Sequence, residues 1–228
     1  MCFSASASFG AGIVLSAVGF ASIKKAQQPS QIAFASIPLI FSAQQITEGF
    51  LWLALSNSTF APLQNITTYI FLFIAQIIWP FAVPLATLLL TKRESRKPIQ
   101  KILVGIGTVV SLYLAYCLIS YNVEAKIIGY HISYEQDYPK ELSKYGGVLY
   151  IIATIAPSIF SGIKRMWLLG TTILISYIIT TIFYVDYIVS VWCFFASVIS
   201  VAVYIIMHEQ QKSLKEKQLP IVKPTNNL

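Results

Sequence analysis

The chain has 228 residues, of which 56% are hydrophobic and only 11% are charged, whereas soluble domains carry about 25% charged residues. Long apolar runs separated by short charged segments therefore exclude an ordinary soluble domain and predict an all-α, polytopic bundle of membrane-spanning helices. The net charge of +7 does not indicate a nucleic-acid partner, because the basic residues fall in alternate loops, which is a signal of membrane topology.

Seven apolar segments are predicted as transmembrane helices, and together they form one domain over residues 1–207. They comprise residues 3–23, 32–55, 66–90, 102–121, 146–162, 166–185 and 189–207. Residues 122–145 are rich in β-branched and aromatic side chains, which predicts an extracytoplasmic loop or hairpin. Residues 208–228 are polar, charged and Pro-containing, so they are predicted as a cytoplasmic tail that is partly disordered.

The basic residues predict how the bundle is oriented. Three loops and the tail, all on one side of the predicted membrane, carry 13 of the 16 Lys and Arg residues: 24–31, 92–101, 163–165 and 208–228. The opposite side carries three, Lys126, Lys140 and Lys144. Because Lys and Arg accumulate on the cytoplasmic side, we expect the N-terminus outside and the C-terminus in the cytoplasm.

One acidic residue, Glu48, lies inside a predicted membrane-spanning run. A charge at membrane depth costs roughly 2.5–3.5 kcal/mol on insertion scales, so Glu48 must face protein or water rather than lipid. On a helix, Gln45, Glu48 and Trp52 share one face, and Gln44 precedes Glu48 by one turn. The second helix thus carries a polar stripe that ends in an aromatic side chain.

A further polar residue, Gln76, lies within the third predicted helix at a depth similar to that of Glu48. We expect these two side chains to face one another. Pro80 cannot donate a hydrogen bond to the Gln76 carbonyl, so a kink is predicted there. His131 lies in the segment that covers the outer ends of the helices, where hydrogen bonding inside its own loop is the favoured role and contact with a ligand is the alternative that makes it a site candidate.

Cys2 begins the first helix and Cys193 lies about a turn into the seventh, so both are expected in the outer third of the membrane. A disulfide between them is one hypothesis, because such bonds persist on the extracytoplasmic side. Cys2 could instead be an inert small residue, or its thiol and a free amine could bind a metal ion or act as a nucleophile. The candidate metal ligands are Cys2, His131 and Cys193, although no C-x-x-C spacing predicts a metal site.

Five short motifs span nearly the whole chain. They are Met1-Cys2-Phe3-Ser4-Ala5-Ser6-Ala7-Ser8-Phe9, Gln45-x-x-Glu48-Gly49-x-x-Trp52, Gly129-x-His131-Ile132-x-Tyr134, Leu149-Tyr150-x-x-Ala153-Thr154 and Trp192-Cys193-x-x-Ala196. In these motifs the chain resembles an uncharacterised family of seven-helix bacterial integral membrane proteins that open with Met-Cys-Phe-Ser-Ala. The resemblance implies a multi-pass protein of the bacterial inner (cell) membrane with the topology above, and it implies no activity.

Three functions fit these patterns. The favoured hypothesis is an integral membrane protein that binds or transports a small molecule or an ion through a cavity organised on Glu48 and open to the outer side. A carboxyl group at membrane depth can exchange a proton or hold a cation, which is why Glu48 is central to it. The residues expected at this site are Glu48, Gln45, Gln44, Gln76, Trp52 and His131.

Two alternatives remain open. In the first, the chain is a membrane sensor or scaffold, and Glu48 is a structural carboxylate bonded to neighbouring glutamines. In the second, it is a membrane-embedded enzyme with an outward-facing site, in which Glu48 is the acid or base and His131 or Cys2 assists. Catalysis is the less favoured hypothesis, because no catalytic sequence pattern is present. The sequence assigns no cofactor and no oligomeric state, and the expected partner besides a small molecule or ion is the lipid bilayer.

Overall fold

The computed structural model describes residues 4–218, without the side chains of residues 140–144, 185 and 215–218. Within this range the regular structure is helical apart from one β-hairpin, which confirms the predicted all-α class. The helices are α1 (Ala5–Lys25), α2 (Pro29–Ala35), α3 (Ile37–Ser56), α4 (Gln64–Leu72), α5 (Trp79–Leu90), α6 (Lys97–Ser120), α7 (Lys140–Phe160), α8 (Met166–Phe183), α9 (Ile188–Ile199) and α10 (Val201–Gln218). The hairpin consists of β1 (Val123–Ile128) and β2 (His131–Gln136).

The segment predicted as one helix over residues 32–55 is divided into α2 and α3. α2 begins earlier, at Pro29. The N–H groups in the first turn of a helix have no intrahelical acceptor, so proline, which has no N–H, is well suited to the first helical position. The chain leaves the helix at Ser36. Pro38 has no N–H to donate to the carbonyl of Phe34, four residues earlier, which explains the interruption.

The third predicted helix contains a π-helical segment, Phe73–Ile78, between α4 and α5. This segment ends two residues before Pro80, whose missing N–H leaves the Gln76 carbonyl without its α-helical donor. The Tyr150 hydroxyl of α7 donates to the Ala75 carbonyl. A neighbouring helix therefore satisfies a backbone group that the irregular segment leaves open, as membrane helices require.

The last predicted helix, over residues 189–207, is divided into α9 and α10 at Ser200. The Ser200 hydroxyl donates to the Ser197 carbonyl at 2.6 Å. Such a bond between a side chain and the backbone of the preceding turn competes with the regular helical pattern.

The start of the predicted polar tail is helical, because α10 continues to Gln218. Its Lys, Glu and Gln residues have good helix propensity. The side chain of Glu209 also forms an ion pair with Arg165, with 3.1 Å between Oε1 and Nε, which ties α10 to the segment before α8. The remainder of the predicted tail, residues 219–228, lies outside the described residues.

α1 and α3 pack closely through small residues. A Cβ atom on Gly12 would lie 2.6 Å from the Ile46 side chain, so the glycine is what permits this approach. The Ser42 hydroxyl donates to the Gly12 carbonyl at 2.7 Å and lies 2.7 Å from the Ser16 hydroxyl. These contacts place the polar stripe of α3 inside the bundle.

The segment predicted as a loop or hairpin, residues 122–145, contains a hairpin followed by the first turn of α7. The strands are antiparallel, with Ile128 opposite His131. Gly129 has a φ of 62° in the two-residue turn, a conformation that favours glycine. The buried residues of the hairpin pack against the C-terminal part of α3. Ala125 and Ile132 contact Leu51 and Trp52 there.

Five helical segments within the described residues are long and apolar enough to cross a membrane. They are Ala5–Lys25, Ser58–Leu90, Glu94–Ser120, Met166–Phe183 and Ile188–Leu214. The chain thus has the helices of a membrane protein. The apolar part of α7, Tyr145–Phe160, is shorter, and α3 has 20 residues but includes the polar group around Glu48.

Candidate functional site

Glu48 lies in the middle of α3 and is fully buried. Its Oε1 atom accepts a hydrogen bond from the Ser190 hydroxyl of α9 at 2.6 Å. Its Oε2 atom accepts from Gln45 Nε2 at 3.5 Å, which is long for a hydrogen bond. The carboxyl group therefore faces protein, as the cost of exposing it to lipid requires, and it joins α3 to α9.

Gln44 is also fully buried but contacts a different set of side chains. Its Oε1 atom accepts from Trp79 Nε1 of α5 at 2.8 Å, and the Trp79 ring stacks on Phe41 with centroids 3.9 Å apart. Gln44 and Glu48 thus connect α3 to both of the helices it packs against here.

Gln76 is bonded to the end of the hairpin, and the expectation that it faces Glu48 is wrong. Its Oε1 atom accepts from the Tyr138 hydroxyl at 3.0 Å, and its Nε2 atom donates to Gln136 Oε1 at 2.9 Å. Burial raises the pKa of Tyr138, so its hydroxyl stays neutral and can donate. The π-helical segment that contains Gln76 adds a residue to the turn, which rotates this side chain out of the register of a continuous α-helix.

Trp52 and His131, two other predicted site residues, contact the hairpin and its surroundings. Trp52 is buried against the hairpin. His131 packs against Tyr187, with centroids 4.7 Å apart, and against Tyr184 at 5.4 Å. Burial lowers the pKa of His131, which favours the neutral imidazole. Both side chains therefore help to hold the hairpin on the helices.

Of the cysteines, Cys193 and Cys117 are buried and form no disulfide within the described residues. Cys2 lies outside the described residues, so its proposed disulfide with Cys193 and its role as a metal ligand stay predictions. Within the described part of the chain, no three His, Cys, Asp or Glu side chains are close enough together to hold a metal ion.

A cavity of about 190 Å³ lies beneath the hairpin; we call it the subhairpin cavity. Its polar and aromatic lining residues are Gln76, Tyr113, Gln136, Tyr138, Tyr150, Tyr177, Trp192 and Cys193. Gly146 and Gly147, at the start of α7, also line it. The cavity therefore combines amide groups with aromatic rings, a lining typical of small-molecule sites.

A second cavity, of about 60 Å³, is almost entirely apolar. It adjoins the first, because Tyr150, Trp192 and Cys193 line both. Glu48 lines neither of these two cavities, contrary to the hypothesis of a cavity organised on it. The reason is geometric: its carboxyl oxygens point to Ser190 and Gln45.

Two buried N–H groups at the subhairpin cavity have no hydrogen-bond acceptor among the described residues, Trp192 Nε1 and Gln136 Nε2. Neither residue was a candidate from sequence. Trp192 belongs to a motif of the family resemblance, but an aromatic side chain at a helix end usually forms part of the interfacial belt. Gln136 lies in the hairpin, and no local sequence pattern predicts how the hairpin contacts the helices.

Comparison with curated proteins and with solved structures yields no match. The model of one protein family, described as a family of unknown function, matches residues 1–218. This match covers nearly the whole chain and confirms the resemblance to an uncharacterised family. The chain belongs to the family of unknown function DUF6629.

Proposed function

We propose that the chain is a multi-pass protein of the cell inner membrane that binds a small molecule in the subhairpin cavity. The observation that carries this proposal is the lining of that cavity. The amide-bearing residues Gln76, between α4 and α5, and Gln136, in the hairpin, line it together with Trp192 and several tyrosines. A concave site with a few convergent polar groups is the usual form of a ligand site.

Seven membrane spans are part of the proposal, with α3 and α7 added to the five apolar segments. α3 has 20 residues and so extends about 30 Å, the thickness of the hydrocarbon core. Its polar side chains bond inside the bundle, so they need not meet lipid. α7 has 21 residues and is apolar from Tyr145 onward.

The proposed orientation has the N-terminus and the hairpin outside, and it rests on the excess of Lys and Arg in the alternate loops. Two exposed positions test it, Ser95 between α5 and α6 and Asp137 after β2. In a Cys2→Ser background we expect a membrane-impermeant maleimide to label Asp137→Cys in intact cells. Ser95→Cys should react only after permeabilisation. Labelling in the opposite order would refute the orientation.

Ligand binding is tested by filling the cavity from its wall. Gly146 lines the subhairpin cavity, and a Cβ atom there would lie 3.4 Å from the ring of Tyr113, another lining residue. Gly146→Leu should therefore extend into the cavity. Gly105→Leu on α6 is the matched control, because Gly105 is exposed and a Cβ atom there would have nothing within 4 Å.

We expect mass spectrometry of an organic extract of the purified wild-type protein to show a small molecule that empty micelles lack. Gly105→Leu should retain this molecule and Gly146→Leu should lose it. If the wild-type protein, both variants and empty micelles give the same extract, the binding function is refuted.

The scaffold or sensor alternative has one observation in its favour, the hydrogen bond between Glu48 and Ser190 that joins two helices. In that case Glu48 is structural and no ligand occupies the bundle. The extract experiment separates the two functions, because a scaffold has no reason to retain a molecule that Gly146→Leu displaces.

A further inference from the structure

Polar and basic side chains line a cavity at the end of α7 that is remote from the hairpin. The cavity has a volume of about 460 Å³, and we call it the basic cavity. Its described lining residues are Lys164 and Arg165, between α7 and α8, and Glu209, Gln210, Lys212 and Ser213 of α10. The start of α8 and α10 share one buried cluster, which includes Met166 and Met207. The cavity thus forms where two segments that are distant in the chain pack together.

The described side chains of the basic cavity carry an excess of positive charge. Three of them are basic, and one, Glu209, is acidic. Glu209 forms an ion pair with Arg165, but its side chain is only 23% exposed, whereas that of Arg165 is 52% exposed. Lys164 and Lys212 are exposed as well. The acidic group is therefore the most buried of the four, and the basic groups face the solvent.

Two arginines from a third segment extend this positive surface. Arg93 and Arg96 pack on Gly162, two residues before Lys164, because a Cβ atom on Gly162 would lie 3.7 Å from a side-chain carbon of each. Membrane topology explains why basic residues occur in these loops. It does not require that residues of the α5–α6 loop, the α7–α8 loop and α10 converge. Such convergence creates the local positive potential that an anion site needs.

Arg165 has an uncommon backbone conformation. Its φ is 63°, which is the one positive φ of a non-glycine residue in the described part of the chain. This left-handed conformation is unfavourable for residues that carry a Cβ atom. Strain of this kind persists where contacts fix it, and it is frequent at ligand sites. An arginine at a position whose backbone favours glycine indicates a role for its side chain.

A lipid-facing apolar surface begins directly beside the basic cavity. Leu168 on α8 and Ile205 on α10 are both nearly half exposed. Leu168 follows Arg165 by three residues and Ile205 precedes Glu209 by four, so each lies about one turn deeper on the same helix face. Trp167 is also exposed, and aromatic side chains are typical of membrane interfaces. A lipid with its headgroup in the cavity can therefore extend its acyl chains along this surface.

We propose that the basic cavity binds the phosphate group of an anionic phospholipid. Lys164, Arg165 and Lys212 supply the counter-charge, and the Gln210 amide and the Ser213 hydroxyl supply further hydrogen-bond donors. Basic pockets between membrane helices are a recurrent form of headgroup site. This site is separate from the subhairpin cavity and does not depend on the ligand proposed there.

The test is a titration of the full-length protein in a non-ionic detergent, followed by native mass spectrometry. The probes are phosphatidylglycerol, which is anionic, and phosphatidylcholine with the same acyl chains, which has no net charge. We expect phosphatidylglycerol to bind about tenfold or more tightly than phosphatidylcholine, because only the anionic headgroup gains from the excess positive charge.

Paired lysine variants test the cavity itself. Lys164→Gln combined with Lys212→Gln should raise the dissociation constant of phosphatidylglycerol roughly 10- to 30-fold, since each basic residue near a headgroup contributes a factor of about five. Lys164→Arg combined with Lys212→Arg keeps both charges and should retain binding. Lys24→Gln combined with Lys101→Gln is the matched control. It removes two exposed lysines on the same side of the membrane, and neither lines the basic cavity.

Three results would overturn the inference. If both pairs of glutamine substitutions weaken binding equally, the basic residues act only as a diffuse charge. Equal binding of phosphatidylglycerol and phosphatidylcholine would show that the cavity does not recognise an anion. Full displacement of phosphatidylglycerol by inorganic phosphate would show that the site takes a soluble phosphate compound instead of a lipid. The extract experiment on the subhairpin cavity is independent of all three, so the proposed function stands or fails separately.

Discussion

Replacing Gly107 by alanine is expected to separate α5 from α6 and to prevent normal assembly of the bundle. A Cβ atom on Gly107 would lie 1.9 Å from the Pro80 carbonyl oxygen and 2.9 Å from its carbonyl carbon. Both atoms are backbone, so no side chain can turn away to make room. In a regular helix the Pro80 carbonyl would pair with the N–H of residue 84, but that residue is Pro84, which has no N–H to donate.

The cost of Gly107→Ala should be about 3 kcal/mol or more, at the upper end for overpacking. The Ser111 hydroxyl, one turn along α6, donates to the Ile77 carbonyl at 2.8 Å, and this bond should be lost when the helices separate. Unfolding in mixed SDS micelles would measure the change in free energy. Size-exclusion chromatography of the solubilised protein would report loss of assembly.

Gly105→Ala is the matched control for Gly107→Ala. Both changes replace a glycine by alanine within α6, so both gain the same intrinsic helix propensity of about 1 kcal/mol. A Cβ atom on Gly105 would meet nothing within 4 Å, so this variant should assemble as well as the wild-type protein. Equal stability of the two variants would contradict the close approach at Pro80.

Removing the Glu48 side chain is the other change with a large expected effect. Glu48→Ala leaves the buried Ser190 hydroxyl without its acceptor and creates a cavity between α3 and α9. We expect a loss of about 2–4 kcal/mol in the free energy of unfolding. Glu48→Gln has nearly the same volume and keeps an oxygen that can accept from Ser190, so it should cost much less and leave the bundle assembled.

A double-mutant cycle isolates the contact between Glu48 and Ser190. Ser190→Ala alone removes the donor, and Glu48→Ala combined with Ser190→Ala should cost less than the sum of the single changes. We expect a coupling free energy of about 1–3 kcal/mol, measured by SDS-induced unfolding. Glu94→Ala is the control, because Glu94 forms a solvent-exposed ion pair with Lys97 and should have little effect. Strict additivity of the two changes would show that the bond does not stabilise the bundle.

The burial of Glu48 could be predicted from the sequence because it depends on a local property, one carboxylate inside an apolar run. Its partner could not be predicted. Ser190 is 142 positions away, and a serine in an apolar helix carries no signal that distinguishes it from the others. Gln44 and Gln45 are buried with Glu48, and their role as a binding site stays a prediction. Gln76 and His131 belong to the hairpin and its contacts.

The error at Gln76 shows why depth in the membrane does not predict contact. Two residues at equal depth meet only if their helices are neighbours and their side chains point toward each other. Pro80 correctly predicted an irregularity in the third helix. It did not predict that a π-helical segment would turn Gln76 toward Gln136 and Tyr138.

The sequence by itself determined that the chain is an all-α protein with helices suited to a membrane, and that Glu48 faces protein. Hydropathy, charge and proline positions are properties of short segments, so these conclusions need no knowledge of packing. Only the tertiary structure decided which polar groups meet and where space remains. The subhairpin cavity depends on the placement of α7, α9 and the hairpin relative to one another, and Trp192 and Gln136 both line it because distant segments pack side by side.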